Sequence, residues 1–246
     1  MFYNLLTDAE YNGGALWAGA AAILAVILLI AVFCDNNKYA LDTKCIAMAG
    51  ISIALSFVLS FIKLFSMPQG GSVTLASLLP VLIFSYIYGT KKGVFVGVIL
   101  GLLNLVQDMW IVHAGQVLLD YPLAFGAIGL AGMFGKIKIF DKYKQIGFAL
   151  GTIAALSIRF VSHVISGVFA FYVNANNIDI WLYSLGYNSF VFIDGAISLV
   201  LGVILFSSPA FIKAIFPKTV SEKSSEKAPE QASEANDTPK SSAEEK

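Results

Sequence analysis

The segment Trp110-Ile-Val-His-Ala-Gly-Gln-Val-Leu-Leu-Asp-Tyr-Pro-Leu-Ala-Phe125 lies between two strongly apolar runs and carries His113, Gln116, Asp120 and Tyr121 among aromatic and aliphatic neighbours. If those runs are membrane helices, a carboxylate at the mouth of one costs free energy unless a partner compensates it. Composition decides that they are. Of 246 residues, 57% are hydrophobic and 13% charged, and the mean hydropathy is +0.76, well above soluble-domain usage. Several uncharged runs reach the ~20 residues needed to cross a hydrocarbon core of about 30 Å. The chain therefore reads as a polytopic, all-α membrane protein in a lipid bilayer. Solidly apolar runs, without alternation, exclude an outer-membrane barrel, and a net charge of zero gives nucleic acid nothing to bind. Cys34 and Cys45 end apolar runs beside lysines. Without CxxC or Cys/His spacing they support neither a zinc site nor a disulfide.

Working outward, apolar spans are expected at about Ala15–Cys34, Cys45–Phe65, Thr74–Tyr88, Val94–Met109, Gln116–Phe134, Ile146–Tyr172 and Ser189–Phe211. Pro68 and the Gly70-Gly71 pair make a turn after the second. Residues 1–14 are acidic, unlike the basic start of a signal peptide. The loops after spans one, three, five and seven hold Lys38, Lys44, Lys91, Lys92, Lys136, Lys138, Lys142, Lys144, Lys213 and Lys218. The other loops hold none, although Lys63 stands at the outer end of span two. An excess of lysine on the cytoplasmic side then predicts seven helices with the amino terminus outside and the carboxyl terminus inside. Residues 217–246, rich in Ser, Glu, Lys, Ala and Pro, could not repay the entropy of ordering and read as a disordered cytoplasmic tail.

This topology collects the unusual residues at the outer face. Gln69, Trp110, His113, Gln116, Asp120, Tyr121, His163, Phe171, Tyr172, Asn174, Asn176, Asn177, Trp181, Tyr183, Tyr187 and Asn188 all fall in the outer loops 66–73, 110–116 and 173–188 or on adjoining helix ends. An aromatic belt alone would explain Trp and Tyr, but a belt needs no carboxylate, histidine or amides. A pocket open to the outside explains the whole set. Aromatic faces attract a cation, a carboxylate matches its charge, and amides give directional hydrogen bonds. A flat, cationic, nitrogen-rich heterocycle fits that description. Arg159, four residues before His163 and so on the same helical face, needs a partner at this depth. Asp108, Asp120 and Asp194 are the candidates, and under such a pairing Arg159 orders the pocket without touching the ligand. No His-Glu-x-x-His, Gly-x-Ser-x-Gly or P-loop motif is present, so neither an enzyme nor ATP use by this chain is expected. His113, His163 and Asp120 are only a weak metal signal, and no cofactor is expected.

Three segments carry a resemblance. Ser66-Met-Pro-Gln-Gly-Gly-Ser-Val-Thr74, His113-x-x-Gln-Val-Leu-Leu-Asp-Tyr-Pro-Leu-Ala-Phe125 and Tyr183-Ser-Leu-x-x-Asn188 resemble the thiamine-specific substrate-binding (S) component of energy-coupling factor (ECF) transporters. The similarity runs in order over residues 43–216. It implies a six-helix S-component core that binds thiamine from outside, in the cell membrane, and works with a transmembrane coupling protein and two ATPase subunits. Residues 1–42 would then be an extension with one extra amino-terminal transmembrane helix. The resemblance further implies that the pocket acid is Asp120 and the tyrosine after it Tyr121, that Trp110 precedes that helix, and that His163 and Phe171 lie on the next. Tyr183 and Asn188 would complete the pocket, with Gln69 as cover where some members place tryptophan. Docking onto the coupling protein would use small residues of the first core helix, either Cys45, Ala49, Ser52 and Ser56 or Ala47, Gly50 and Ala54. Two rivals stay open on residue grounds. One is a stand-alone proton-coupled vitamin carrier using Asp120 or His163, and the other a membrane structural or assembly protein that binds no ligand.

Overall fold

A computed structural model describes residues 13–33, 35, 42–68, 70–111, 114–171 and 179–216. Its helices are α1 (Gly13–Phe33), α2 (Thr43–Ser60), α3 (Leu79–Tyr88), α4 (Thr90–Gln107), α5 (Ala114–Leu118, continuing to Lys136), α6 (Lys144–Phe171), α7 (Ile180–Asn188) and α8 (Phe190–Ser207). A two-stranded antiparallel hairpin, β1 (Lys63–Ser66) and β2 (Ser72–Thr74), follows α2. Five segments among the described residues are long and apolar enough to cross a membrane: Thr43–Ser60, Thr90–Gln107, Gly115–Lys136, Lys144–Phe169 and Ile180–Ser207. The apolar stretches Ala18–Phe33 and Leu79–Tyr88 are shorter. A separate helix, α9 (Pro209–Ile215), belongs to a second unit starting at Ser208; it opens on a proline and carries Lys213 in its last turn. Residues 1–12, Cys34, Gln69, His113, residues 172–178 and the expected tail lie outside the described residues, as does the side chain of Phe171.

The element boundaries depart from the hydropathy reading in three places. Span two was expected to reach Phe65, but α2 ends at Ser60 and Lys63–Ser66 pairs with Ser72–Thr74 instead, so α3 starts only at Leu79. Lys91 and Lys92, expected in a loop, stand in the first turn of α4. A single glycine, Gly89 at φ +91°, separates α3 from α4, a backbone conformation that glycine adopts at little cost. Residues 180–188, expected in an outer loop, form α7, whose first amides at Trp181 and Leu182 donate to the Asp179 side chain at 2.9 and 3.3 Å. That arrangement satisfies donors that a helix start otherwise leaves unpaired.

The crossing of α4 and α5 fixes the position of the carboxylate. A β-carbon at Gly97 would lie 2.2 Å from the Phe125 carbonyl oxygen, and one at Gly101 would lie 2.5 Å from that of Tyr121. Glycine at four-residue spacing lets two membrane helices touch backbone to backbone. Within α5 the chain widens to a π-turn over Leu119–Leu123, which contains Pro122, and tightens to 3₁₀ geometry over Ala127–Lys136. Proline lacks the amide of a regular turn; the Leu119 carbonyl in this distorted stretch accepts from Ser162 Oγ at 2.6 Å. The widened turn holds Asp120 and Tyr121.

At the other end of the bundle, Tyr86, Phe148 and Phe206 form an aromatic core, with Phe148 stacked on Phe206 at 4.7 Å between ring centres. The buried face of α2 consists of Cys45, Ser52, Ser56 and Ser60, whereas Ala47, Gly50 and Ala54 are exposed. Helix α1 buries Ala21, Leu24, Leu28 and Ala31 and packs against α4, α5 and α6. Just after it, the Asp35 carboxylate accepts the Lys91 amide at 2.7 Å and pairs with Lys136. Helix α1 is thus tied to the start of α4 and the end of α5.

Candidate functional site

Elements from across the chain converge on one cavity. The hairpin contributes Gly70, Gly71 and Ser72, the end of α4 contributes Asn104 and Asp108, and Trp110 follows. Helix α5 adds Gln116, Asp120, Tyr121 and Phe125, and α6 adds Arg159, His163 and Gly167. Helix α7 supplies Tyr183, Ser184, Tyr187 and Asn188, and α8 supplies Phe190.

Asp120 pairs with His163: its Oδ1 lies 2.8 Å from His163 Nδ1. On the far side of the same ring, Arg159 Nε donates to His163 Nε2 at 3.4 Å. A ring nitrogen that accepts carries no proton, so the histidine proton belongs on Nδ1, donating to the carboxylate. The guanidinium also lies over the Phe125 ring, 4.5 Å from its centre. Its Nη1 stands 3.9 Å from Asp194 Oδ2 and has no hydrogen-bond partner. Of the three aspartates expected as partners of Arg159, Asp194 is the one within ion-pair distance; Asp120 is reached only through the histidine, and Asp108 pairs with Lys63 at the mouth.

The remaining side chains are held by backbone contacts. The Tyr121 hydroxyl donates to the Asp108 carbonyl at 3.0 Å and accepts the Trp110 amide at 3.3 Å, which ties the end of α4 to the π-turn. Asn188 Nδ2 donates to the His163 carbonyl at 3.2 Å and to Ser184 O and Oγ at 2.9 and 3.2 Å. Those bonds lock α7 onto α6 and leave the amide oxygen as the group available to a ligand. Tyr183 stacks on Tyr187 at 6.1 Å, and Tyr187 meets Phe190 edge to face at 6.0 Å, forming an aromatic wall. The hairpin closes against this wall: a β-carbon at Gly71 would strike the Phe190 ring at 2.8 Å, and one at Gly70 would strike Trp110 at the same distance.

Six of the eight residues expected in the pocket therefore line the cavity: Trp110, Asp120, Tyr121, His163, Tyr183 and Asn188. Gln69 lies outside the described residues, and of Phe171 only the backbone at the end of α6 is described. Arg159, read from sequence as a group behind the pocket, lines it directly. Tyr187, grouped from sequence with the outer-face residues but not assigned to the pocket, also lines it, as do Phe125 and Phe190, which were not singled out. The place of Tyr187 four residues from Tyr183 on one helical face is readable only once 180–188 is known to be helix.

The matching family model is "Thiamine transporter protein (Thia_YuaJ)", over residues 46–213. The thiamine transporter ThiT of Bacillus subtilis is 33% identical over 159 residues, which are 61% of this chain and 82% of that one. Its counterpart in Lacticaseibacillus paracasei is 29% identical, over 59% of this chain and 79% of that one. A solved structure of ThiT from Listeria monocytogenes, 23% identical, has the same fold with a TM-score of 0.59, covering 68% of this chain and 96% of that one. The family's members are membrane transporters and not enzymes, and this chain belongs to the thiamine transporter protein family.

Proposed function

We propose that this chain is the high-affinity thiamine-binding S component of an ECF-type importer, capturing thiamine at the outer face for ATP-driven uptake by partner subunits. The charge balance of the cavity supports this reading most strongly. Asp120 and Asp194 are two carboxylates against the single guanidinium of Arg159, with the His163 ring bridging Asp120 to Arg159. At the mouth, Lys63 and Asp108 cancel. One negative charge remains uncompensated, at Asp120, in a site walled by aromatic rings. A monocation with a flat ring neutralises it and gains cation–π contacts of about 0.5–2 kcal/mol each. The thiazolium of thiamine is such a group.

In this assignment Asp120 and the Asn188 amide oxygen accept hydrogen bonds from the aminopyrimidine. Trp110, Tyr121, Phe171 and Tyr183, with His163, enclose the rings, and Gln69 covers them. Titration of the purified chain with thiamine should show saturable binding and a rise in thermal stability. Asp120→Ala should weaken binding by ~2 kcal/mol or more, the loss expected when one partner of a buried charged pair is removed. Absence of thiamine binding by the intact protein would overturn the reading.

The larger assembly follows from the same proposal. Residues 43–216 form the six-helix core, 1–42 the extension with a seventh helix and 217–246 the tail, with the amino terminus outside and the carboxyl terminus inside the plasma membrane. A transmembrane coupling protein and two ATPases complete the importer. Uptake by vesicles holding this chain alone would instead indicate a stand-alone carrier.

A further inference from the structure

Asp194 lies behind the cavity and is 2% exposed. Its Oδ1 accepts the Thr74 amide at 2.8 Å and the Thr74 hydroxyl at 2.7 Å. Thr74 is the last residue of β2 and pairs in register with Lys63, the first of β1. The other carboxylate oxygen faces Arg159 Nη1 at 3.9 Å, beyond hydrogen-bond reach. Asp194 therefore touches both the base of the hairpin that closes the cavity and the cation that lines it.

The contacts of Arg159 are loose. Its bond to His163 is 3.4 Å long, its approach to Asp194 is 3.9 Å, and Nη1 has no hydrogen-bond partner. A cation drawn to Asp120 enters beside this guanidinium, and like charges repel strongly in a site of low dielectric. The direction of relief is set by Asp194, a buried acceptor that the guanidinium reaches by moving about 1 Å to ordinary charge-assisted bonding distance. Closing that pair completes the shell of the carboxylate that holds Thr74.

We propose that Asp194 is a positioning residue that couples the positive charge of the bound ligand to the hairpin, so that a cation in the cavity latches residues 63–74 through Arg159, Asp194 and Thr74. This rests on the thiamine-binding reading above. It makes ligand charge a determinant of residence time, separate from ring shape. A neutral isostere fills the same space without pushing Arg159 and leaves the hairpin free to lift.

The test uses the full chain carrying Val73→Cys, with the native cysteines replaced by alanine. Val73 is 6% exposed beside Thr74 and does not line the cavity, so a water-soluble maleimide reaches position 73 only when the hairpin lifts. Saturating thiamine should slow its modification by on the order of tenfold or more, the scale of one hydrogen bond to a charged group. A saturating isostere with a neutral thiophene in place of the thiazolium should leave the rate near that of the empty protein. Adding Asp194→Asn, which keeps an oxygen for the Thr74 amide but removes the charge facing Arg159, should weaken thiamine binding without eliminating it by titration and, at saturating thiamine, abolish the protection and speed dissociation. Thr74→Val, which alters the hairpin side alone, should reduce the protection with Asp194 intact. Equal protection by the neutral isostere, or full thiamine protection in both variants, would overturn the latch while the binding reading stood. Failure of thiamine to bind the unsubstituted chain would overturn both.

Discussion

His163 stands between opposite charges, and that position explains how a carboxylate and an arginine coexist in an apolar bundle. Asp120 is satisfied on one side of the ring, and Arg159 on the other is shared with the Phe125 face and Asp194. Arg159 is 6% exposed, so deleting it leaves Asp194 as a buried charge without its counter-ion. Arg159→Met should cost about 3 kcal/mol of stability, the usual loss when one member of a buried pair is removed. The double substitution Arg159→Met with Asp194→Asn should recover a large part of it, because the orphaned charge goes too. Thermal unfolding in detergent reads both, and additive losses would show that the two groups do not interact. The sequence supplied the inventory here without the wiring. Asp120, His163 and Arg159 are all recognisable as buried ionisable groups that need partners, and the four-residue spacing puts Arg159 and His163 on one face. That Asp194, 35 positions after Arg159, is the carboxylate that reaches it depends on helix packing that no local pattern encodes.

Among the elements, hydropathy found the long helices because a membrane span needs little beyond length and apolar content. It failed where backbone geometry departs from that rule. The hairpin is short and carries exposed Phe65 and Leu64, so it merges into the apolar run before it. Helix α7 buries Ile180, Ser184 and Asn188 while exposing Trp181, Leu182 and Leu185, so no apolar period marks it, and it is held down by its Asp179 cap and by Asn188. The α4/α5 crossing was visible only as two glycines at positions 97 and 101, whereas its consequence is structural: it sets the height of the π-turn that presents Asp120. Gly97→Ala forces a methyl to within 2.2 Å of the Phe125 carbonyl oxygen. It should destabilise the protein by about 1–3 kcal/mol, the range for overpacking a tight contact, and weaken ligand binding by displacing α5. Gly186→Ala is the control, since a β-carbon there meets nothing within 4 Å. It should leave binding unchanged and stabilise α7 by up to ~1 kcal/mol through helix propensity. Equal effects at the two positions, read by titration and thermal shift, would contradict this account.

For the whole molecule, the two outward surfaces of the bundle differ in kind. Helix α1 lies against α4, α5 and α6, fixed at its carboxyl end by Asp35 between the Lys91 amide and Lys136. It covers the flank of the helices that carry the site and exposes large aliphatic side chains such as Ile23 and Ile30. Helix α2 instead exposes a small stripe, Ala47, Gly50 and Ala54, while its Cys45, Ser52 and Ser56 face is used up inside the chain. The sequence left these two faces equivalent, because both repeat small residues at helical spacing; burial separates them. Only the exposed stripe is available to let a second membrane helix approach closely, and a β-carbon at Gly50 meets nothing within 4 Å. Gly50→Trp should therefore leave thiamine binding and thermal stability of the isolated chain unchanged, yet sharply reduce ATP-driven uptake when the chain is reconstituted with the coupling protein and ATPases of the proposed importer. Ile30→Trp, an equally bulky change on the exposed side of α1, should affect neither. If uptake survives Gly50→Trp, or if Ile30→Trp abolishes it, the coupling protein meets another surface, and α1 becomes the face to examine.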